Sequence, residues 1–596
     1  MASVPLRGSF GCRQIRAVKI PKVASLLGVI LALGAGLLVR AALRLDYDPT
    51  LDWGVRLNWA RRIVEATELG PLTSVGVAAL RGDADRVFAL LAGRQDSLLF
   101  AVASGAYVYP TELVRFGSVA LMALGLEITG YSLGAARLLA IAADLVAVAL
   151  VFPLSRAVRL SRTTGVVSVA ILSLLAAKAL FSVQAFYHLF GAVATIVCLL
   201  AFARALRRLP AASVRTWIGV GVLFGLSMYV NWFLQQLAFA AALIALLARG
   251  FEEGCLGRSL RCGIAMSAAA TVTFLPAILY AGLQWFALGW NPTAGYDTAA
   301  GAMSLSPPNE FERIAAYAAG AAEYFTLPLL FAALLGGVVI ARDRATRPVF
   351  WLFGSWLAMH AAFFGLISDL GGRFMRTFQS VELPVALWAA CGIAALGSAL
   401  ARSLAGTRGQ GPHAAAAAAL ATAVVLLAAL APSLRRDVSL LRGRTDIADS
   451  MPRFHSEYPR SREIMELCDE LAAVLPAGSN VLAYSWQLLE AVCPAASRFQ
   501  VVNLYGLCEI PDDTRRRQWL ATRFPRYRAD APHLVILERR YATDVAGQER
   551  CLEQVASFFE LRPGGLKLEG RDAPDAFYAR ALLLEPSLTR ATTSER

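Results

Sequence analysis

The chain has 596 residues, of which 57% are hydrophobic and 17% are charged, and its net charge is +14. Soluble domains usually carry about 25% charged residues, whereas whole stretches of this chain, such as 263–280 and 414–431, carry none and are long enough to cross a bilayer. One globular core would not need so many such stretches, and the arginines form short clusters between them, so the composition excludes a single soluble domain and argues against a nucleic-acid-binding protein.

The apolar stretches predict about eleven membrane spans. A basic tail, residues 1–22, precedes the first of them, and the sequence Leu37-Leu38-Val39-Arg40 at its end is no small-residue cleavage site, so we expect the first helix to be retained. The predicted spans lie near 23–43, 135–155, 164–182, 189–206, 216–232, 234–249, 262–285, 323–341, 348–367, 380–401 and 413–432.

Arginines predict the topology of these spans. They occupy alternate connections, at Arg156, Arg159, Arg162, Arg204, Arg207, Arg208, Arg215, Arg249, Arg258, Arg261, Arg342, Arg344, Arg347, Arg402 and Arg408. Because basic loops stay cytoplasmic, we expect the tail 1–22 to be cytoplasmic. The odd number of spans then places residues 433–596 outside the cytoplasm, and the Ala/Arg-rich composition suggests a bacterial inner membrane.

The region 23–432 is therefore predicted to be a membrane domain with outer segments at about 44–134, 286–322 and 368–379. The first outer loop, 44–134, is expected to contain amphipathic helices. The last segment is short and contains Asp369, Arg373 and Arg376. Basic residues normally stay on the cytoplasmic side, so arginines on the outer side indicate a functional role.

The region 433–596 is predicted to be a small α/β domain. A helical pattern over 460–474 precedes short apolar strand candidates at 480–484, 501–504 and 533–537. This region contains four cysteines that an oxidising exterior would allow to pair, but their spacing leaves the pairing open: Cys468, Cys493, Cys508 and Cys551. No spacing typical of a zinc site occurs.

Three acids follow the first predicted span, in the sequence Leu45-Asp46-Tyr47-Asp48-Pro49-Thr50-Leu51-Asp52. At the membrane surface, Asp46, Asp48 and Asp52 could act as a general base or bind a divalent cation through oxygen ligands. The alternative is a solvated loop in which aspartates cap helices.

Further candidate site residues lie at other predicted outer ends. Arg373 and Arg376 are spaced to share one face and suit a phosphate clamp, or simple binding of anionic lipid headgroups. His188 suits an acid, base or ligand role, or that of a satisfied interfacial histidine. Asn231 belongs to an amide-and-aromatic cluster that suits a sugar, or a helix turn that satisfies its own backbone.

The arrangement resembles the glycosyltransferase C superfamily, integral membrane transferases that use polyprenyl-phosphate sugars. The acids after the first span carry the resemblance, with three weaker motifs: Val108-Tyr109-Pro110, Gly130-Tyr-Ser-Leu-Gly-Ala-Ala-Arg137-Leu138, and Arg373-Phe374 followed by Leu383-Pro384. It covers roughly residues 20–400, and its motifs are more specific in their order than singly.

The resemblance implies a polytopic α-helical membrane enzyme with a C-terminal extracytoplasmic domain. It gives the role of base or metal ligand to Asp48 or Asp52, with Mg or Mn as a possible cation, and donor-phosphate binding to Arg373 and Arg376. His188, Asn231 and Tyr109 would contact substrate. The partners would be a polyprenyl-phosphate-linked sugar, membrane lipids and a glycan or protein acceptor.

The sequence thus predicts an inverting glycosyltransferase. A lipid-linked glycan transporter or flippase is a rival, but it should show internal repeats and charges at mid-membrane. No convincing repeat is visible, and most charges fall at span ends. A non-catalytic envelope protein would tolerate loss of the loop acids and arginines.

Overall fold

The computed structural model describes the membrane region over 22–43, 116–129, 133–183, 188–209, 211–288, 310–367, 375–405 and 412–442. In the C-terminal region it describes 461–483, 498–504, 527–538, 545–569 and 578–586, with single positions between 489 and 520.

Helices and the short turns between them make up the described part of the membrane region. The first eight, α1 to α8, are Lys22–Ala42, Phe116–Thr129, Leu133–Ala157, Arg162–Leu174, Ala176–Val183, His188–Arg207, Val214–Glu252 and Leu256–Leu288. Helices α9 to α11 are Glu310–Phe325, Leu327–Arg342 and Arg347–Ala362. A π turn, Phe363–Ile367, and a 3-10 segment, Met375–Val381, lead to α12, Glu382–Ala405, and α13, Pro412–Leu441.

These helices confirm a polytopic membrane fold. Among the described residues, eight helices are long and apolar enough to span a bilayer, or ten if two bent pairs each count as one span. The pairs are α4 with α5, bent by 58°, and α9 with α10, bent by 98°. The further predicted span, 216–232, forms the first part of the long helix α7. Helix α13 continues to Leu441, so the predicted domain boundary at 433 falls inside it.

Helix α7 breaks where two short spans were expected to meet. Asn231 has extended backbone angles, φ −157° and ψ 91°, inside an otherwise helical run. Its side-chain Oδ1 accepts a hydrogen bond from the backbone N–H of Leu234 at 3.4 Å, which caps the second half of the helix. The polar break is tolerated at membrane depth because Asn231 is 1% exposed and buried in protein.

Glycines allow helices α10 and α12 to touch through their backbones. A Cβ atom added at Gly336 would lie 1.7 Å from the carbonyl oxygen of Trp388, and one added at Gly392 would lie 2.0 Å from that of Ala332. Membrane helices pack this way because lipid offers them no hydrophobic driving force for association. Close backbone approach therefore fixes the start of α12 relative to its neighbours.

The C-terminal region contains a five-stranded mixed sheet. Helix α14, Ser461–Val474, precedes strands β1, β2 and β3, which are Asn480–Ala483, Gln500–Asn503 and His533–Glu538. Helix α15, Val545–Phe558, is followed by β4, Leu561–Glu569, and β5, Tyr578–Pro586.

The strand order is β2-β1-β3-β5-β4. Strands β1, β2 and β3 are parallel, whereas β5 is antiparallel to both β3 and β4. The predicted first helix and first three strands are confirmed, and α15, β4 and β5 are additions. A disulfide joins Cys468 to Cys493, which answers part of the pairing that the sequence left open.

Candidate functional site

Only three of the eight predicted site residues belong to the described part of the chain. Asp46, Asp48, Asp52, Tyr109 and Arg373 lie outside the described residues. The roles predicted for them stay predictions.

The other three predicted residues lie on described elements. His188 begins helix α6, although its side chain lies outside the description. Arg376 lies half-buried in the 3-10 segment. Asn231 packs against Gly191, where an added Cβ atom would meet the asparagine Cβ at 2.6 Å. Its capping role in α7 favours the structural alternative over sugar binding.

A cluster of buried charges, which the sequence did not predict, lies between the helices. Its first member, Arg40, is 1% exposed in the last turn of α1. Its guanidinium donates to Asp144 Oδ2 at 2.6 and 3.0 Å and to Ser182 Oγ at 3.2 Å. Nη1 also donates to the carbonyl oxygens of Gly36 at 2.9 Å and Ser173 at 2.8 Å. This arginine therefore ties α1 to α3, α4 and α5.

Lys178 in α5 continues the cluster. Its Nζ lies 2.7 Å from Asp144 Oδ1 and 2.5 Å from Glu382 Oε2. Ser182 Oγ donates to Asp144 Oδ2 at 2.5 Å, and the Tyr324 hydroxyl donates to Glu382 Oε1. Two cations and two carboxylates thus neutralise one another, as buried charges must.

The cluster joins residues near the ends of several helices to Asp144 of α3. Arg40 is in the last turn of α1, whereas Glu382 is the first residue of α12. Asp437, near the end of α13, is 2% exposed and interacts electrostatically with Arg40 and Arg436. Within the described part of the chain neither oxygen of Asp437 has a hydrogen-bond partner. Residues near the ends of α1, α12 and α13 therefore meet around these charges.

A sequence signal for this cluster existed. Arg40, Asp144, Lys178 and Glu382 each lie inside a predicted span, where ionisable residues are rare and mark a functional or structural site. Most charges were expected at span ends, and Asp144, which lies midway along α3, is an exception. The sequence alone does not indicate that these four residues meet.

A small cavity adjoins the cluster. Its volume is about 30 Å³, and its lining includes Lys178, Glu382, Gln379, Thr195 and Trp356. Ligand pockets usually measure roughly 300–1,000 Å³, so a sugar or a phosphate group does not fit. Arg40, Asp144, Lys178 and Glu382 are paired with one another, and the adjoining cavity is too small for a large ligand. The cluster is therefore suited to holding the helices together.

A larger groove, about 600 Å³, lies between α7 and α8, far along the chain from the cluster. Leucines, isoleucine, valine and small residues line it, with Ser267 and Thr271 as its polar members. It contains no charged side chain, so it offers nothing to hold a phosphate.

Metal binding is not tested by the described residues. They contain no group of three or more His, Cys, Asp or Glu side chains placed to hold a metal ion. Asp48 and Asp52, the predicted ligands of a divalent cation, lie outside that part of the chain.

The fold is similar to that of known membrane enzymes. ArnT from Cupriavidus metallidurans, solved with undecaprenyl phosphate bound, matches 95% of this chain and 98% of its own length, at 12% identity and a TM-score of 0.51. The apo oligosaccharyltransferase of Archaeoglobus fulgidus matches 96% of this chain and 75% of its own, at 13% identity and a TM-score of 0.48. A second structure of that enzyme, tethered to an acceptor peptide, matches 78% of this chain and 65% of its own, at 14% identity and a TM-score of 0.44.

No protein-family model and no curated protein sequence matches the chain. The architecture is nevertheless that of a polytopic helical membrane protein whose fold is similar to that of ArnT. The resemblance that the sequence motifs indicated is confirmed at the level of the fold.

Proposed function

We propose that this chain is a membrane glycosyltransferase that moves a sugar from a polyprenyl-phosphate donor to an extracytoplasmic acceptor, with inversion. The similarity to ArnT extends over nearly the whole length of both chains, and that structure was solved with undecaprenyl phosphate bound. A lipid phosphate donor that enters from the membrane suits a bundle of this kind.

The observation that carries the proposal is the meeting of α1 and α12 at the buried charges. Asp46 follows Arg40 by six positions, and Arg376 precedes Glu382 by six. A chain advances at most ~3.5 Å per residue, so Asp46 lies within about 20 Å of Arg40. Residues Met375–Val381 are 3-10 helical, with a rise of about 2.0 Å per residue, so Arg376 lies about 12 Å along the chain from Glu382. Arg40 and Glu382 are linked through Asp144 and Lys178. The chain segments that carry the predicted acids and arginines are therefore attached to neighbouring points of the bundle, which allows these side chains to share one site.

The proposed reaction needs one base and one phosphate clamp. The carboxylate of Asp48 or Asp52 takes the proton from the acceptor hydroxyl, whose oxygen attacks the anomeric carbon. The bond from that carbon to the phosphate oxygen breaks, and its electron pair leaves with the phosphate. Arg373 and Arg376 stabilise the developing negative charge. Direct displacement at the anomeric carbon inverts its configuration.

A divalent cation, Mg or Mn, would fit the oxygen ligands of Asp48 and Asp52 and would supply Lewis-acid stabilisation of charge near the acceptor. We assign substrate contacts to Tyr109 and His188. Asn231 stays a weaker candidate, because its side chain already caps α7. Membrane lipids and a glycolipid, polysaccharide or protein acceptor complete the proposed set of partners.

The proposed orientation places the N-terminus in the cytoplasm and the C-terminal domain outside, in a bacterial inner membrane. Disulfides persist in oxidising compartments, and the Cys468–Cys493 pair lies in the C-terminal domain. The described free cysteines, by contrast, all lie in the membrane region, at Cys198, Cys255, Cys262 and Cys391. The disulfide supports the placement of the C-terminal domain that the arginines predict.

The test is transfer from a labelled undecaprenyl-phosphate sugar in membranes that contain the chain. We expect Asp48→Asn or Asp52→Asn to lower the transfer rate about 10²- to 10⁴-fold, since one of them holds the base. Asp343→Asn, in the exposed turn between α10 and α11, is the control and should leave the rate unchanged. Full activity in both single variants and in the double variant would refute the carboxylate mechanism.

A lipid-linked glycan transporter or flippase is the second candidate, and one observation favours it. Ionisable residues buried inside spans, as Asp144 and Lys178 are, often mark ion and substrate pathways. Translocation of a fluorescent lipid-linked glycan in reconstituted vesicles, without any transfer to an acceptor, would select this candidate over the enzyme.

A further inference from the structure

His360 occupies an unusual position at the end of α11. It is 0% exposed, and both of its ring nitrogens have polar partners. Nδ1 lies 2.8 Å from the hydroxyl of Tyr317 in α9, and Nε2 lies 3.0 Å from the backbone carbonyl oxygen of Thr377 in the 3-10 segment. One imidazole therefore joins three separate elements.

The hydrogen-bond partners of His360 determine which of its two ring nitrogens carries a hydrogen. A carbonyl oxygen only accepts, so Nε2 of His360 carries the hydrogen that is donated to Thr377. A buried ring far from a counter-ion is neutral, so Nδ1 accepts from the Tyr317 hydroxyl. The arrangement is a directed chain of hydrogen bonds from Tyr317 through His360 to Thr377.

Aromatic side chains enclose this hydrogen-bonded chain. The ring of His360 lies 4.7 Å from that of Phe364 in the π turn, 5.7 Å from that of Tyr317 and 6.0 Å from that of Phe378 in the 3-10 segment. The rings of Tyr317 and Phe378 are 5.2 Å apart. These rings surround the bond from His360 to the Thr377 carbonyl oxygen. That oxygen also accepts from Ser380 Oγ at 2.7 Å within the 3-10 segment, whereas His360 is a donor from a different element.

A second tyrosine of α9 fixes the other end of the same segment. Tyr324 follows Tyr317 by seven positions, two helical turns, so both hydroxyls lie on one face of α9. Tyr324 donates to Glu382, the first residue of α12. The short stretch from Met375 to Glu382 is therefore held near both ends by hydrogen bonds that start on one helix face.

We propose that His360 is a positioning residue for Arg376, holding the 3-10 segment so that the guanidinium faces the donor phosphate. This inference rests on the proposed function. Arg376 immediately precedes Thr377, so a bond that fixes the Thr377 carbonyl also fixes the backbone from which the arginine side chain projects. The π turn at 363–367, a rare geometry often found at functional sites, leads the chain away from His360.

A purely space-filling role for His360 would not need its polarity. Phenylalanine or leucine fills an aromatic enclosure at no desolvation cost, whereas a buried imidazole must have both nitrogens paired. The directional bond to a backbone carbonyl is the part that packing alone does not supply.

Two matched variants separate positioning from packing. In His360→Gln, the longer side chain places an amide N–H near the position of Nε2, so the bond to Thr377 is kept. In His360→Asn, the shorter amide reaches only the position of Nδ1, so the contact with Tyr317 is kept and the bond to Thr377 is lost.

Hydrogen–deuterium exchange of the peptide 375–382 in the full-length protein, without substrate, tests the structural half. One hydrogen bond contributes about 0.5–1.5 kcal/mol net, so His360→Asn should speed exchange there roughly two- to tenfold, while His360→Gln stays within about twofold of the unaltered protein. Equal exchange in both variants would overturn the proposal, whatever the protein's function.

Transfer kinetics test whether His360 positions Arg376 for the donor phosphate. We expect His360→Asn to raise KM for the undecaprenyl-phosphate sugar roughly tenfold with little change in kcat, and His360→Gln to restore it. An equal loss of kcat in both variants, with KM unchanged, would overturn positioning of the phosphate contact. If the unaltered protein fails to bind undecaprenyl phosphate in a detergent titration, the proposed function fails, and the exchange result still decides the role of His360 in holding the segment.

Discussion

Replacing Lys178 by methionine tests whether the buried charges hold the helices together. Its side chain is 3% exposed and lies within 2.7 Å of one carboxylate and 2.5 Å of another. After the substitution Asp144 keeps Arg40 and Ser182 as partners, whereas Glu382 keeps Tyr324 alone. The loss is therefore dominated by one uncompensated carboxylate.

Removing one partner of a buried ion pair costs about 3–5 kcal/mol, chiefly through the charge that is left behind. We expect Lys178→Met to lower the free energy of unfolding by that amount. Adding Glu382→Gln removes the stranded charge and should bring stability back to within about 1–2 kcal/mol of the unaltered protein. The double-mutant cycle, completed with Glu382→Gln alone, should then give a coupling of at least about 2 kcal/mol.

Equilibrium unfolding of the purified protein in SDS-containing mixed micelles measures these differences. Arg249→Met is the matched control, because its partner Glu253 lies one turn away in a partly exposed pair with side chains 18% and 27% exposed. Exposed pairs contribute about 0–1 kcal/mol. A double variant as unstable as Lys178→Met alone would refute the reasoning, since packing and not charge would then account for the loss.

Three further predictions concern other parts of the molecule. Gly336→Ala would bring a methyl group within 1.7 Å of a backbone oxygen and should cost at least about 3 kcal/mol or prevent folding, whereas Gly219→Ala, with nothing within 4 Å, should be neutral or slightly stabilising in the same unfolding assay. Burial lowers the pKa of His533 from 6.5 to about 4, so the unfolded state binds the proton first. The domain should keep its full stability above pH 6.5 and lose about 1.4 kcal/mol per pH unit between 6.5 and 4, which amide exchange of β3 at pH 7 and pH 5 detects and which His533→Gln should abolish. Replacing Cys468 and Cys493 by serine should cost about 2–4 kcal/mol, seen as earlier proteolysis of the C-terminal domain, and an unchanged digestion pattern would contradict it.

The sequence predicted the membrane architecture because hydropathy and arginine placement are local signals. The predicted spans at 23–43, 135–155 and 189–206 coincide with helices to within a few residues. The break at Asn231 was also anticipated, since two apolar runs met at a polar residue. These features need no knowledge of which helix lies beside which.

The meeting of the buried charges was not predicted, because it depends on contacts between distant parts of the chain. A single lysine among about 20 apolar residues barely changes the hydropathy of its span, and its partners come from other parts of the chain. Asp144 is 104 positions from Arg40, and Glu382 is 204 positions from Lys178. Such pairings become visible only once the helices are packed.

In the C-terminal domain the missed strands have a local cause. Strand β4 begins with Leu561-Arg-Pro-Gly-Gly, residues that usually interrupt a strand. The structure accommodates them through a register shift between Pro563 and Lys567 in the pairing with β5. A bulge allows the ladder to continue beyond residues that sequence patterns read as a turn.

The separation of Lys178 and Glu382 along the chain has a consequence for biosynthesis. At roughly 5–20 residues per second, the ribosome needs about 10–40 s to make the 204 residues that lie between them. During that interval the lysine is within the translocating chain with Asp144 alone to neutralise it. The first half of the bundle therefore reaches its final arrangement only when the helix carrying the glutamate arrives, and a chain truncated before it would present quality-control proteases with an incompletely neutralised span.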